Sequence, residues 1–119
     1  MKSSRARRLW FQAGACHGDR ISAERGLQIL DDFLGCTVRD EIFSTDDEQI
    51  APLEPLPCPV TVAWCEKDTI VPVASYGARA QERLPHATFE TLPDTGHDPM
   101  MDNPKLVART ILTVTGAGT

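Results

Sequence analysis

The chain has 119 residues, of which 41% are hydrophobic, and a formal net charge of −5 at pH 7. This length allows one domain at most, and the negative charge argues against nucleic acid as a partner. No run approaches the roughly 18 apolar residues of a membrane-spanning helix, so we expect no membrane span.

The chain begins with a basic run from Met1 to Arg8 that leads into apolar residues from Leu9 to Phe11. Charge followed by apolar residues is the order of a signal peptide, but Gln12 interrupts the apolar stretch, which is barely long enough. We therefore interpret this segment as a solvated or disordered start.

The cysteines are scattered, at Cys16, Cys36, Cys58 and Cys65. Cys16 is followed by His17, and both residue types bind metals, but no C-x-x-C or H-x-x-x-H spacing accompanies the pair. We therefore predict no metal site and no cofactor. Scattered thiols without a secretory signal are typical of a reducing compartment, so we expect a cytoplasmic protein.

An amphipathic helix is predicted to follow Ser22. Apolar residues recur at helical spacing up to Leu34, and Gly35 is a typical helix end. Ser22 and Asp19 are alternative N-caps. The helix either belongs to a lid over a site or only packs against a sheet.

The stretch from Pro57 to Pro104 alternates between strand and helix patterns. Residues 60–64 form a β-branched and aromatic run that stops at a charged cluster, which predicts a mostly buried strand. Residues 73–84 follow a helical pattern, and residues 88–92 form a second strand.

A polar residue of catalytic type follows each predicted strand: Asp68 follows the first and His97 the second. A strand, a helix and a strand at this spacing pair in parallel through a right-handed crossover, so both carboxyl ends lie at one sheet edge. Open α/β sheets bind ligands at that edge, and an Asp beside a His orients and supplies a general base. We therefore predict that Asp68 and His97 face one crevice.

Both residues also have a structural interpretation. An Asp after a strand is usually a turn former or a helix cap, and His97 could cap a helix that begins at Pro99 or Pro104. Gly96 beside His97 indicates a close-packed loop, which favours the catalytic interpretation.

The last predicted element is a helix over residues 104–114 that packs against the sheet. Its apolar face consists of Leu106, Val107, Thr110, Ile111 and Val114.

Two motifs carry a family resemblance. V-x-V-x-W-x-E-K-D-x-x-V-P, followed by L-P-x-A-x-F-x-x-L-P-x-x-G-H-D-P-M-M-D-N-P, resembles the last two strands of the α/β-hydrolase fold. The resemblance covers residues 50–115, and more loosely residues 9–49 as the end of a cap or lid. It implies an α/β fold in which residues 1–50 form a helical lid-like segment and residues 51–119 form the C-terminal βαβα part of the core.

The resemblance also implies site roles. In this family the triad runs Ser, then Asp or Glu, then His along the chain. Asp68 would be the triad acid and His97 the triad base, and a small ester-like molecule would be the substrate. The motifs do not identify which ester, because the fold supports many chemistries.

The sequence departs from the family at the nucleophile. No G-x-S-x-G occurs in the 119 residues. The nearest pattern surrounds Ser75, but Val73 replaces the first Gly and the pattern lies in a predicted helix. The other serines are Ser3, Ser4, Ser22 and Ser44.

Two expectations follow from this departure. In the first, the chain is a hydrolase lacking its nucleophile half, inactive alone and complemented by an N-terminal half. In the second, it is a non-catalytic remnant or a dimerising interaction module. A two-stranded sheet leaves edges and an apolar face open, so self-association into a homo-oligomer is expected in the second case.

Overall fold

The computed structural model describes residues 3–38, 40–41 and 56–117. The predicted boundary between residues 50 and 51 lies outside these ranges. Among the described residues, no helix combines the length and apolar character needed to cross a membrane.

Two parallel strands joined by a helix form the centre of the fold. Strand β1 spans Thr61–Cys65 and β2 spans Thr88–Leu92, and helix α3, Val73–Arg83, connects them. The register pairs Thr61 with Thr88 and Cys65 with Leu92, so the strands end side by side. The predicted parallel pairing is confirmed, with β1 one residue later than predicted.

Strand β1 is mostly buried. Its first four residues are half-buried, and only Cys65 at its carboxyl end is buried. The described sheet has two strands, so β1 pairs with a strand on one side only. The prediction of a mostly buried strand is confirmed, because no residue of β1 is exposed.

The N-terminal segment is an ordered helix with mostly exposed residues, so the interpretation as a solvated start holds and a disordered start was wrong. Helix α1, Ser4–Trp10, is rich in Ala, Arg and Leu, which are good helix formers. It packs against a short 3-10 helix, Gly18–Arg20. A Cβ at Gly18 would lie 2.9 Å from the Arg7 carbonyl oxygen, so this approach requires glycine.

Helix α2, Ala23–Gly35, begins and ends where the sequence predicted. The Ser22 side chain caps it by accepting a hydrogen bond from the Arg25 N–H at 3.1 Å. Its apolar stripe is exposed in part, however, with Leu27 at 50% and Leu34 at 63%, whereas Leu30 is half-buried. The lid interpretation of this segment stays a prediction.

Two helices end the described chain, α4 over Pro99–Asp102 and α5 over Pro104–Thr115. Leu106 in α5 is half-buried, whereas Ile111 and Val114 are 55% and 49% exposed. The prediction that the whole apolar face of α5 packs against the sheet was wrong for its second half.

The buried residues cluster at the carboxyl ends of the strands. The buried hydrophobic residues of the described chain come from the N-terminal segment and the strand ends, and Thr95 and Asp102 are buried beside them. The hydrophobic ones are Ala15, Ile21, Cys65 and Leu92. The best-packed part of the described chain therefore surrounds the loop that carries His97.

Candidate active site

The structure brings the two sequence-predicted site residues together. His97 Nδ1 lies 3.0 Å from Asp68 Oδ2. The Asp68 side chain is only 8% exposed, whereas the His97 side chain is 38% exposed. One partner is therefore fixed inside the protein while the other reaches solvent.

Asp68 uses its two oxygens for different purposes. Oδ1 accepts the backbone N–H groups of Ile70 at 2.9 Å and Val71 at 2.8 Å, while Oδ2 faces His97. The turn-forming interpretation and the pairing with His97 thus both hold. Burial raises the pKa of Asp68, but the Val71 N–H, the His97 ring and the Ile70 N–H outweigh it and lower the pKa overall.

The ionised Asp68 determines the tautomer of His97. A carboxylate only accepts hydrogen bonds, so the proton of a neutral His97 ring must sit on Nδ1. Nε2 then carries the lone pair that can accept a proton. The helix-cap interpretation of His97 was wrong, because the N-caps of α4 and α5 are Asp98 and Asn103.

The loops after the two strands are bonded to each other. The backbone N–H groups of Glu66 and Lys67 donate to the carbonyls of Leu92 at 3.0 Å and Thr95 at 2.9 Å. In return, the Asp94 N–H donates to Glu66 Oε2 at 2.8 Å. The loop of Asp68 and the loop of His97 are therefore held as one unit.

Asp102 is a buried carboxylate that sequence reasoning did not assign to the site. Its oxygens accept three backbone N–H groups, from Cys16 at 3.0 Å, His17 at 2.7 Å and Gly96 at 2.7 Å. Burial raises the pKa of Asp102, but these three donors outweigh it and lower the pKa overall. Asp102 belongs to the second family motif, at its D-N-P end. Its partners Cys16 and His17 are too distant in sequence for a local pattern to reveal.

The segment at Gly14 and Cys16 packs directly against the His97 loop. The Asp98 N–H donates to the Gly14 carbonyl at 2.7 Å. A Cβ at Gly96 would lie 2.9 Å from the Cys16 nitrogen and 3.0 Å from the Gly14 oxygen. The backbone is thus anchored on both sides of His97, and Gly96 is required by this close approach.

The family model of the alpha/beta hydrolase family matches residues 3–110. The chain belongs to the alpha/beta hydrolase family. This match agrees with the resemblance of the two strand motifs and with the parallel strands flanked by helices. Searches of curated proteins and of solved structures gave no match.

In this hydrolase-family chain, a second group of polar side chains lies beside the Asp68–His97 pair. The side-chain ligand atoms of Cys16, His17 and Asp94 lie within 4.8 Å of one another. His17 Nε2 is 2.8 Å from Asp94 Oδ2, and the Lys67 ammonium bonds the other Asp94 oxygen. Lys67 and then His17 lower the pKa of Asp94 to about 2.

The cluster has the residue types of a metal site, but its groups already bond one another. Burial, and then Asp102, raise the pKa of the Cys16 thiol to about 11, which disfavours the thiolate that binds metals. An ion would also have to replace the hydrogen bond between His17 and Asp94. Sequence reasoning paired Cys16 with His17 and missed Asp94, which only the fold brings near.

No serine in the described part of this hydrolase-family chain bonds His97. Ser75 is exposed in the first turn of α3, and Ser22 caps α2. Ser44 lies outside the described residues. The structure therefore gives no support to Ser75 as a nucleophile.

An apolar cavity of about 660 Å³ adjoins the His97 loop. Phe11, Leu30 and Phe33 contribute to its walls, and Asp98 and Met101 lie at its border with the loop. Met101 is half-buried and belongs to α4, the short helix that follows the His97 loop.

Proposed function

We propose that this chain supplies the acid and base of a hydrolase that cleaves ester or related bonds through a nucleophile, His97 and Asp68. The nucleophile and the oxyanion donors would come from outside these 119 residues. The observation that carries the proposal is the 3.0 Å contact between a buried Asp68 and a partly exposed His97 at the carboxyl ends of parallel strands. Ligands bind at this edge of open α/β sheets.

The roles of the two residues follow from the tautomer. Nε2 of His97 takes the proton of the nucleophile and later gives it to the leaving group. Asp68 holds the ring in the required tautomer and stabilises its charged form. The buried, ionised state of Asp68 suits this role, because its charge is poorly screened by water.

The chain alone should be nearly inactive. Loss of a triad nucleophile costs several powers of ten in rate, and loss of an oxyanion donor costs about 10²–10³. A small ester-like molecule is the substrate only once these groups are supplied. The cytoplasm remains our expected compartment, which the free thiols of Cys16, Cys36, Cys58 and Cys65 support.

The proposal can be tested with an activated ester that needs no strong nucleophile. We expect the full chain to accelerate p-nitrophenyl acetate hydrolysis weakly through the His97 imidazole. His97→Gln should abolish this acceleration of ester hydrolysis, and Asp68→Asn should reduce it. His86→Gln is the matched control, since His86 is exposed and belongs to another loop.

A serine-reactive fluorophosphonate probe completes the test. We expect no adduct by intact mass on the folded chain. Stoichiometric labelling would show an activated serine within these residues and would contradict the proposal. Equal ester hydrolysis by wild type and His97→Gln would contradict the role of His97.

A non-catalytic, self-associating module is the alternative that the exposed apolar side chains favour. Leu27 and Leu34 of α2 and Ile111 of α5 are each at least half exposed. Sedimentation of the purified chain distinguishes the two functions. A stable homodimer without His97-dependent hydrolysis would favour the module, and a monomer with such hydrolysis would favour the hydrolase.

A further inference from the structure

The anchoring of the His97 loop depends on one side chain outside the Asp68–His97 pair. Asp102 is 4% exposed, and its two oxygens accept the N–H groups of Cys16, His17 and Gly96. The carboxylate therefore joins the residue preceding His97 to a segment from the N-terminal part of the chain.

The hydrogen bond of the Gly96 N–H to Asp102 matters because glycine, which has no Cβ, has the most flexible backbone of any residue. Without an anchor, the Gly96 backbone can adopt conformations that would carry the His97 ring away from Asp68. Displacement of a catalytic group by about 1 Å can cost about 10²-fold in rate. The 2.7 Å bond from the Gly96 N–H to Asp102 opposes this displacement.

The same carboxylate oxygen that holds Gly96 also accepts the Cys16 N–H. Asp98, the residue after His97, is bonded to the same N-terminal segment, because its N–H donates to the Gly14 carbonyl. The segment from Gly14 to His17 is thus a backbone support for His97, and Asp102 is the side chain that attaches it.

We propose that Asp102 is a positioning residue that acts on His97 through the Gly96 backbone and the Gly14 to His17 segment. The inference rests on the proposed function for its catalytic consequence. Its geometric part, the alignment of His97 with Asp68, can be measured without any hydrolysis.

The test uses the full chain labelled with ¹⁵N in its histidines. The His97 Nδ1–H that faces Asp68 should give a downfield proton signal coupled to Nδ1, assigned by its loss in His97→Gln. Asp102→Asn keeps the shape but replaces one acceptor oxygen with an NH₂ group, so at least one backbone N–H loses its partner. We expect this variant to lose most of the signal, and its ester hydrolysis to approach that of His97→Gln.

Two further variants separate positioning from general stability. Asp102→Glu restores the charge and should recover part of the signal. Phe89→Ala, in the middle of β2 and away from this contact, should lower stability yet keep the full signal. A folded Asp102→Asn with a wild-type signal would overturn the inference.

Amide hydrogen exchange of the wild type decides the question if Asp102→Asn does not fold. One carboxylate holds three N–H groups, so Cys16, His17 and Gly96 should be protected and exchange together. Fast exchange of Gly96 while Cys16 and His17 stay protected would overturn the inference. A wild type with the Nδ1–H signal but no ester hydrolysis would instead contradict only the proposed function.

Discussion

The surroundings of His97 and helix α2 differ in the contacts that hold them. Around His97, backbone N–H groups are bonded to buried carboxylates, and Thr95 and Asp102 are almost fully buried. Helix α2 lacks such contacts, and its apolar residues Leu27 and Leu34 are at least half exposed. Directed polar contacts, rather than a large apolar core, therefore fix the site geometry in the described chain.

Asp102→Ala should produce the largest loss of stability. It leaves the N–H groups of Cys16, His17 and Gly96 without their acceptor, and each unsatisfied buried donor is costly. We expect the free energy of unfolding to fall by about 3 kcal/mol or more, measured by urea denaturation. Asp31→Ala, on the exposed surface of α2, is the control. A loss as small as that of the control would contradict the importance of these polar contacts.

Gly96→Ala should cost about 1–3 kcal/mol, because the new methyl group meets backbone atoms that cannot move independently. Gly35→Ala is a matched control, since a Cβ at Gly35 meets nothing within 4 Å. The control should leave stability unchanged or raise it by up to about 1 kcal/mol. Chemical denaturation of both variants checks this contrast, and equal effects would show that the close approach at Gly96 is unimportant.

Acid should weaken the site through Asp68 and Asp102. Both have a pKa lowered from the ordinary 3.8, so between that value and the lowered pKa the unfolded chain binds more protons than the folded one. The stability they contribute is complete only well above pH 3.8 and is lost as the pH falls through the lowered values. Protonating either carboxylate should cost less stability than truncating its side chain to Ala, because a protonated carboxyl still accepts hydrogen bonds.

Urea midpoints measured as the pH is lowered below 5 should show this decline. Asp68→Asn should have a shallower decline than the wild type, since one of the contributing groups no longer titrates. An identical pH dependence in the variant would contradict the role of Asp68.

Ser22→Ala should have the smallest effect, about 1 kcal/mol, because it removes the N-cap of α2. The change should appear as a loss of helical circular dichroism, with the His97 Nδ1–H signal unchanged. Ser75→Ala is the control, because Ser75 makes no cap contact in α3. Loss of the His97 signal in Ser22→Ala would show that α2 and the site are coupled.

The sequence predicted the parts of the fold that depend on local pattern. The β2 bounds, the Ser22 cap and the parallel pairing of the strands were confirmed, because periodicity, capping and crossover handedness are properties of short segments. Helix α1 was missed because its charged residues resembled a solvated start.

The candidate site was predictable only in part. The approach of Asp68 to His97 followed from the strand ends, since parallel strands place them at one edge. The bonds of Asp102 to Cys16 and His17, and the contact of Asp94 with His17, join opposite ends of the chain. No spacing rule reports such contacts, so they emerged only from the fold.

The most direct test of the Asp68–His97 pair is the ¹⁵N spectrum of the histidine side chains in wild type and Asp68→Asn. We expect His97 in the wild type to carry its proton on Nδ1 with a downfield signal, and Asp68→Asn to lose that signal while remaining folded. A wild type in which the His97 proton sits on Nε2, or a signal unaffected by Asp68→Asn, would contradict the pairing.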